Sequence, residues 1–196
     1  MTQKTSGKKL LAQLKELAKQ TPQGWQQFYE VLFSLADPDH KPAALDCTAS
    51  IAATSFIDFA LRKAITTHFR KDITESELNR VFDEPNSPLS NLSAKITFAR
   101  ALGIIQDDEV EDLNTIRAIR NAFAHSMVHV EFSHPTVSTL CNQLGIAAAY
   151  KNVETDNYFA KHIFISSVGT LFFNLISYYP GVEQDIFNSA FHDSAS

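Results

Sequence analysis

The sequence predicts an all-α protein, a single bundle of about seven helices, and three observations predict it. Apolar residues recur at three- and four-residue spacing in one segment after another. Strand-like alternation is confined to one short stretch, in which Val128, Val130 and Phe132 alternate with His129 and Glu131. Proline, glycine or a short polar capping residue bounds nearly every periodic segment. With 196 residues, 44% of them hydrophobic and 20% charged, the chain is long enough to bury one core. No repeat or linker divides it, so residues 1–196 read as one domain.

Residues 8–20 place Leu10, Leu11, Leu14 and Leu17 on one stripe, with Lys8, Lys9, Lys15 and Lys19 mostly elsewhere, which predicts a short amphipathic helix. Residues 1–20 hold five lysines against Glu16, a balance of +4 in a chain whose net charge is -5. This segment reads either as a basic arm for nucleic acid or an acidic partner, or as the solvated face of a helix docked by its leucines. Gln13, Lys15 and Glu16 interrupt the apolar run before it resembles the core of an export signal, so none is expected.

Thr21 and Pro22 open a second helix whose Trp25, Phe28, Tyr29, Leu32 and Phe33 form a core stripe. After a loop punctuated by Pro38 and Pro42, residues 45–69 read as a long helix, apolar on Ile51, Phe56, Phe59, Leu61, Ala64 and Ile65. Asp58 falls among those positions. A carboxylate there needs a partner, because burying it alone costs several kcal/mol. Arg62, four residues on, is the local candidate.

Thr74 or Ser76 can cap a short helix through Phe82, and residues 83–88 are a turn-rich connector. A helix over 90–102 ends at Gly103, which suits the left-handed position past a helix C-terminus. Asp107 is expected to cap the next helix, whose first turns carry Asp108, Glu109, Glu111 and Asp112 at the positive end of the dipole. Val110, Leu113, Ile116, Ala118, Ile119 and Phe123 supply its buried face. Residues 135–144 form a small helix closed by Gly145, and residues 158–179 a long apolar one broken by Pro180 and Gly181. Ser166, Ser167, Asn174 and Ser177 within that last helix favour a buried core element over a membrane span.

Several functions are excluded on this basis. The six glycines are isolated, so neither a phosphate-cradling loop nor a dinucleotide fingerprint can be drawn. Cys47 and Cys141 lack a CxxC partner and read as small buried hydrophobes in a reducing cytoplasm. The helix, Gly103, helix unit between Thr97 and Leu113 has the outline of a DNA-reading module, but its second helix would push five carboxylates toward a polyanion. Direct DNA binding is therefore not expected.

The richest chemistry lies in residues 117–126, where Arg120, Asn121 and His125 combine a fixed cation, an amide and an imidazole. At roughly 100° per residue Asn121 and His125 share a face, while Arg120 and His125 diverge by about 140°, so convergence needs a bend or two chains. RNA cleavage could use such a set, the imidazole taking a 2'-hydroxyl proton and the guanidinium stabilising charge on phosphorus. The alternative is structural: His125 complements the helix C-terminus, while Arg120 and Asn121 tie adjacent helices together and reach the buried Asp58. His125, His129, Glu131 and His134 also share one window, but the spacing is poor for a metal, and neither metal nor cofactor is expected.

The string from Pro88 through Ser90, Asn91, Lys95 and Ile96 to Arg100, Leu102 and Gly103, followed by Asp107, Asp108 and Glu109 and by the run from Ile119 to Ser126, closely resembles the mannitol operon repressor family. Ser55 to Asp58 and Leu61 to Ile65 resemble its long central helix, so the likeness runs from about residue 44 to 132. It implies an all-helical cytoplasmic protein that lowers expression of mannitol uptake and oxidation genes. The acidity of this chain favours a regulator acting through a protein partner. Arg120, Asn121 and His125 also resemble the Arg-polar-x3-His signature of HEPN domains, helical bundles that include metal-independent ribonucleases working as dimers. That likeness implies a homodimer, with Arg120 as phosphate-stabilising cation, Asn121 as orienting amide and His125 as acid and base. RNA is then the partner in the alternative reading.

Overall fold

The computed structural model describes residues 44–126, 130–150 and 159–178. Among them are six α-helices and one 3-10 helix and no strand, so the fold is all-α. The two helices expected in residues 8–20 and 22–33 lie outside the described residues.

Helix α1, Ala44–Thr66, has no internal glycine or proline and buries Ala49, Ala53, Ile57, Ala60, Leu61, Ala64 and Ile65. It ends three residues before the expected Phe69. Thr66 and Thr67 send their hydroxyls back to the carbonyls of Arg62 and Ala64, and tighter bonds from His68 and Phe69 close the last turn. Helix α2, Glu75–Phe82, is capped by Thr74: the Glu77 backbone N–H donates to Thr74 Oγ1, and Thr74 N donates to Glu77 Oε2 at 2.8 Å. This reciprocal arrangement is open to Thr74 with Glu77 three residues on, which selects Thr74 over Ser76.

Helix α3, Leu92–Ala101, begins two residues later than expected because Asn91 accepts from the Ala94 N–H and so sits outside the helix as its cap. Gly103 follows with φ of 71°, the left-handed conformation its sequence position anticipates. Helix α4, Asp107–His125, corrects two expectations. The capping position belongs to Gln106, whose N–H donates to Glu109 Oε2 at 3.0 Å, and Asp107 is already helical. Ala118 is exposed, since the buried face runs through Leu113, Ile116, Ile119 and Phe123.

Val130 and Glu131 lead without strand pairing into Phe132, whose ring is buried against Phe123 at 4.8 Å and Phe164 at 5.1 Å between centroids. Helix α5, Pro135–Cys141, is capped by His134 Nδ1, which accepts from Thr136 N. It stops three residues short of Leu144, and Gly145 opens a 3-10 helix, Gly145–Tyr150, rather than closing α5. Helix α6, Phe159–Ser177, is the central element and buries eleven of its residues. It is long and apolar enough to cross a membrane, with a mean hydropathy of 1.4, yet 61% of that window is buried inside the bundle.

Helix α1 packs most extensively on α6 and then on α4 and α3. An ion pair joins Asp46 to Lys161 near the starts of α1 and α6, and Phe56 meets Phe172 edge-on further along, so these helices run parallel. Cys47 Sγ reaches the Phe123 carbonyl near the end of α4, which therefore runs antiparallel to α1.

Candidate functional site

The polar centre expected from Asp58, Arg120, Asn121 and His125 divides into separate parts. Arg120 Nη1 donates to Asn121 Oδ1 at 3.1 Å, and both side chains are half-buried. His125, one turn beyond Asn121, is exposed at the end of α4, and among the described residues no hydrogen bond joins it to either.

Asp58 is elsewhere. Lys95 of α3 donates its ammonium to both carboxylate oxygens, at 2.7 and 2.6 Å, with the lysine side chain only 5% exposed and Asp58 41% exposed. The expected partner Arg62 instead binds Asp83 at 2.5 Å and lies over the Phe82 ring. Arg62 is drawn to the connector after α2, while the α1–α3 crossing brings Lys95 to Asp58 from another helix. Spacing on a single helix carries no information about such a crossing.

Sequence reasoning also missed a second buried lysine. Lys161, 5% exposed, lies 3.3 Å from Asp46 Oδ1, and the other Asp46 oxygen accepts the Phe132 backbone N–H at 3.0 Å. The available signal was the place of each lysine in an apolar stripe: Lys95 between Leu92 and Ala99, Lys161 between Ala160 and Phe164. A lysine inside such a stripe is either snorkelling or paired.

Arg117, one turn before Arg120, opens the 117–126 window but was given no role by the sequence. Its Nη2 donates to Asn114 Oδ1 at 3.1 Å, and its Nε is buried without a partner. Among the described residues neither arginine is paired with a carboxylate. The end of α4 thus carries two half-buried guanidiniums, two amides that orient them, and an exposed imidazole.

The opposite end of α4 has the reverse character. Asp107, Asp108 and Glu111 are exposed, and Arg100 pairs with Asp107 at 2.5 Å. On α3, Phe98 and Leu102 lie four residues apart, 37% and 36% exposed. Asn174 donates to Glu109 Oε1 at 3.2 Å, which brings the end of α6, with exposed Phe173 and Tyr178, to the same end of the bundle. Asp112 faces inward, both oxygens accepting from Gly145 N at 3.1 Å, and burial holds its carboxyl above the usual range.

Burial pushes the Cys141 thiol up to about 12, so it stays protonated, and among the described residues no group of three His, Cys, Asp or Glu residues is placed to hold a metal ion. His134, part of the metal window considered above, spends Nδ1 on the α5 cap, and His129 lies outside the described residues.

Fold and site together define an all-helical bundle whose longest polar-faced helix, α4, is acidic where it starts and cationic toward its end. Compared with models of protein families, with curated proteins and with solved structures, the chain matches none.

Proposed function

We propose that this chain is a mannitol operon repressor-like transcriptional regulator that acts in the cytoplasm as a homodimer, through protein contacts and not by reading DNA. One observation carries the reading. The α3–Gly103–α4 unit, which has the outline of a DNA-reading module, exposes Phe98 and Leu102 at the end of α3 and Asp107, Asp108 and Glu111 on α4. Carboxylates repel phosphate, whereas exposed apolar side chains suit a protein surface. The reading needs no metal or cofactor. Its test is the level of mannitol uptake transcripts in cells that carry the wild-type chain, lack it, or carry the double variant Phe98→Ser, Leu102→Ser. Loss of the chain and the folded variant should raise the transcripts alike. Transcripts unchanged on loss of the chain would end the proposal.

A second reading, a metal-independent ribonuclease, is favoured by the exposure of His125, since an acid-base imidazole must reach solvent and substrate. Arg120, held by Asn121, would stabilise the phosphate. Cleavage of a mixed RNA in EDTA, lost in a folded His125→Ala protein, would support it, and absence of cleavage by the wild type would remove it.

A further inference from the structure

We propose that residues 8–20 of this chain dock on the outward face of α3, their leucines on Phe98, Ala101 and Leu102 and their lysines toward the carboxylates that open α4.

Helix α3 turns Lys95, Ile96 and Ala99 into the core and leaves Phe98, Ala101 and Leu102 exposed. These three are spaced by three and four residues, so they form one apolar stripe open to solvent. Arg100, in the same turn, pairs with Asp107 at 2.5 Å, which ties the end of α3 to the first turn of α4. From there Asp107, Asp108, Glu109, Glu111 and Asp112 follow within six residues, and among the described residues Arg100 is the one cation paired with any of them. Their crowding is felt at Asp112, whose carboxyl is raised by burial and then by Asp108, Glu111 and Glu109.

Charge selects the occupant. A second copy of this surface would set five carboxylates against five, and a nucleic acid would set them against phosphates. An apolar stripe on a cationic helix fits instead. Residues 1–20 hold five lysines and one glutamate in a chain whose net charge is -5, and Leu10, Leu14 and Leu17 recur at four- and three-residue spacing. Isolated helices shorter than about 12–15 residues are marginal in water, so a helix over 8–20 needs a surface for its leucines.

The connection is long enough. Helix α1 begins at Ala44, where α4 ends, since Cys47 Sγ reaches the Phe123 carbonyl. Asp58, whose carboxylate holds Lys95 of α3, lies about 21 Å further along α1. Residues 21–43 can span about 50 Å even with 22–33 helical. The contact does not depend on the regulator reading; its consequence, that a protein partner must displace residues 8–20 from Phe98 and Leu102, rests on it.

Carbodiimide coupling of the full chain, which joins an ammonium to a carboxylate where the two touch, tests the contact when the linked peptides are read by mass spectrometry. Links are expected from Lys8, Lys9, Lys15 or Lys19 to Asp108 or Glu111 within one chain. Their yield should fall about tenfold or more in the triple variant Leu10→Ser, Leu14→Ser, Leu17→Ser and in the double variant Phe98→Ser, Leu102→Ser. Circular dichroism verifies that both are folded. A mixture of isotope-labelled and unlabelled wild-type chains separates links within a chain from links between chains, and it needs no variant. Absence of these links from the wild type would overturn the proposal. So would links that join labelled to unlabelled chains, which would assign the segment to a second copy, and so would yields untouched in both folded variants. Mannitol uptake transcripts indifferent to the chain would end the regulator reading and leave the links as they are.

Discussion

Lys95 and Lys161 are almost wholly withdrawn from water and each meets an aspartate, whereas Arg117 and Arg120 are half withdrawn and meet only amides. The difference follows from the two cations. An ammonium is a compact, strongly hydrated charge whose burial is tolerable only beside a counter-charge; a guanidinium is more weakly hydrated and its flat face tolerates partial burial. The lysine pairs cross-link helices, α1 to α3 and α1 to α6, and belong to the frame. Among the described residues the arginines bond only to amides of their own helix.

The comparison is broken most forcefully at Asp46. Asp46→Ala leaves Lys161 buried without its carboxylate and also frees the Phe132 N–H, so a loss of about 3–5 kcal/mol is expected in urea unfolding. Asp46→Asn should recover the backbone bond and only part of that loss. If Asp46→Ala unfolds within about 1 kcal/mol of the wild type, the lysine pairs are not the frame.

Asp58→Ala should cost less, about 1–3 kcal/mol, because water already reaches the Asp58 side of the pair. Lys95→Met should cost less again, since Asp58 can turn to solvent while the methionine fills the apolar slot against Phe82. The order of these two variants is the informative result; a reversed order would mean that Asp58, and not Lys95, bears the burial.

For the arginines the expected stability change is small. Arg117→Met or Arg120→Met should shift unfolding by no more than about 0.5 kcal/mol, and a gain is as acceptable as a loss, because a half-buried charge without a counter-ion stabilises nothing. A loss above about 2 kcal/mol would make Arg120 part of the frame and erase the distinction from the lysines.

How much of this was legible in the sequence depends on range. The six α-helices from α1 onward and the left-handed Gly103 follow from local patterns, and Thr74 is one of the two caps they offered, whereas the 3-10 helix Gly145–Tyr150 was not foreseen. Boundaries slipped where a side chain competed for the backbone, as with Asn91, Gln106 and the hydroxyls of Thr66 and Thr67. The pairing of charges was not legible. Asp58 was given a partner four residues along its own helix, and the structure gives it one 37 residues away, because packing between helices, not register within one, decides which charges meet. Arg120, Asn121 and His125 were singled out by their residue types within residues 117–126, a window that also held Arg117 without giving it a role.

The same contrast has an anionic counterpart at Asp112, and it carries the smallest effect. Burial is the main cause of its raised pKa, reinforced by Asp108, Glu111 and Glu109, and the Gly145 N–H opposes it only in part. The ionised carboxylate is therefore worse placed in the fold than in the unfolded chain, and across the window between the ordinary and the raised value the folded state binds more protons. Stability contributed by this residue falls as pH rises through that window, opposite in sign to the usual acid denaturation. Asp112→Asn keeps an oxygen for Gly145 and removes the charge, so it should be at least as stable as the wild type at pH 7. That advantage should shrink as pH drops toward the ordinary carboxylate range, because the neutral carboxyl is the form that burial favours. Urea midpoints of both proteins across this range decide it. A variant weaker than the wild type at neutral pH would mean that the charged bond to Gly145 outweighs burial, and that uncompensated charge in this bundle is costly for neither sign.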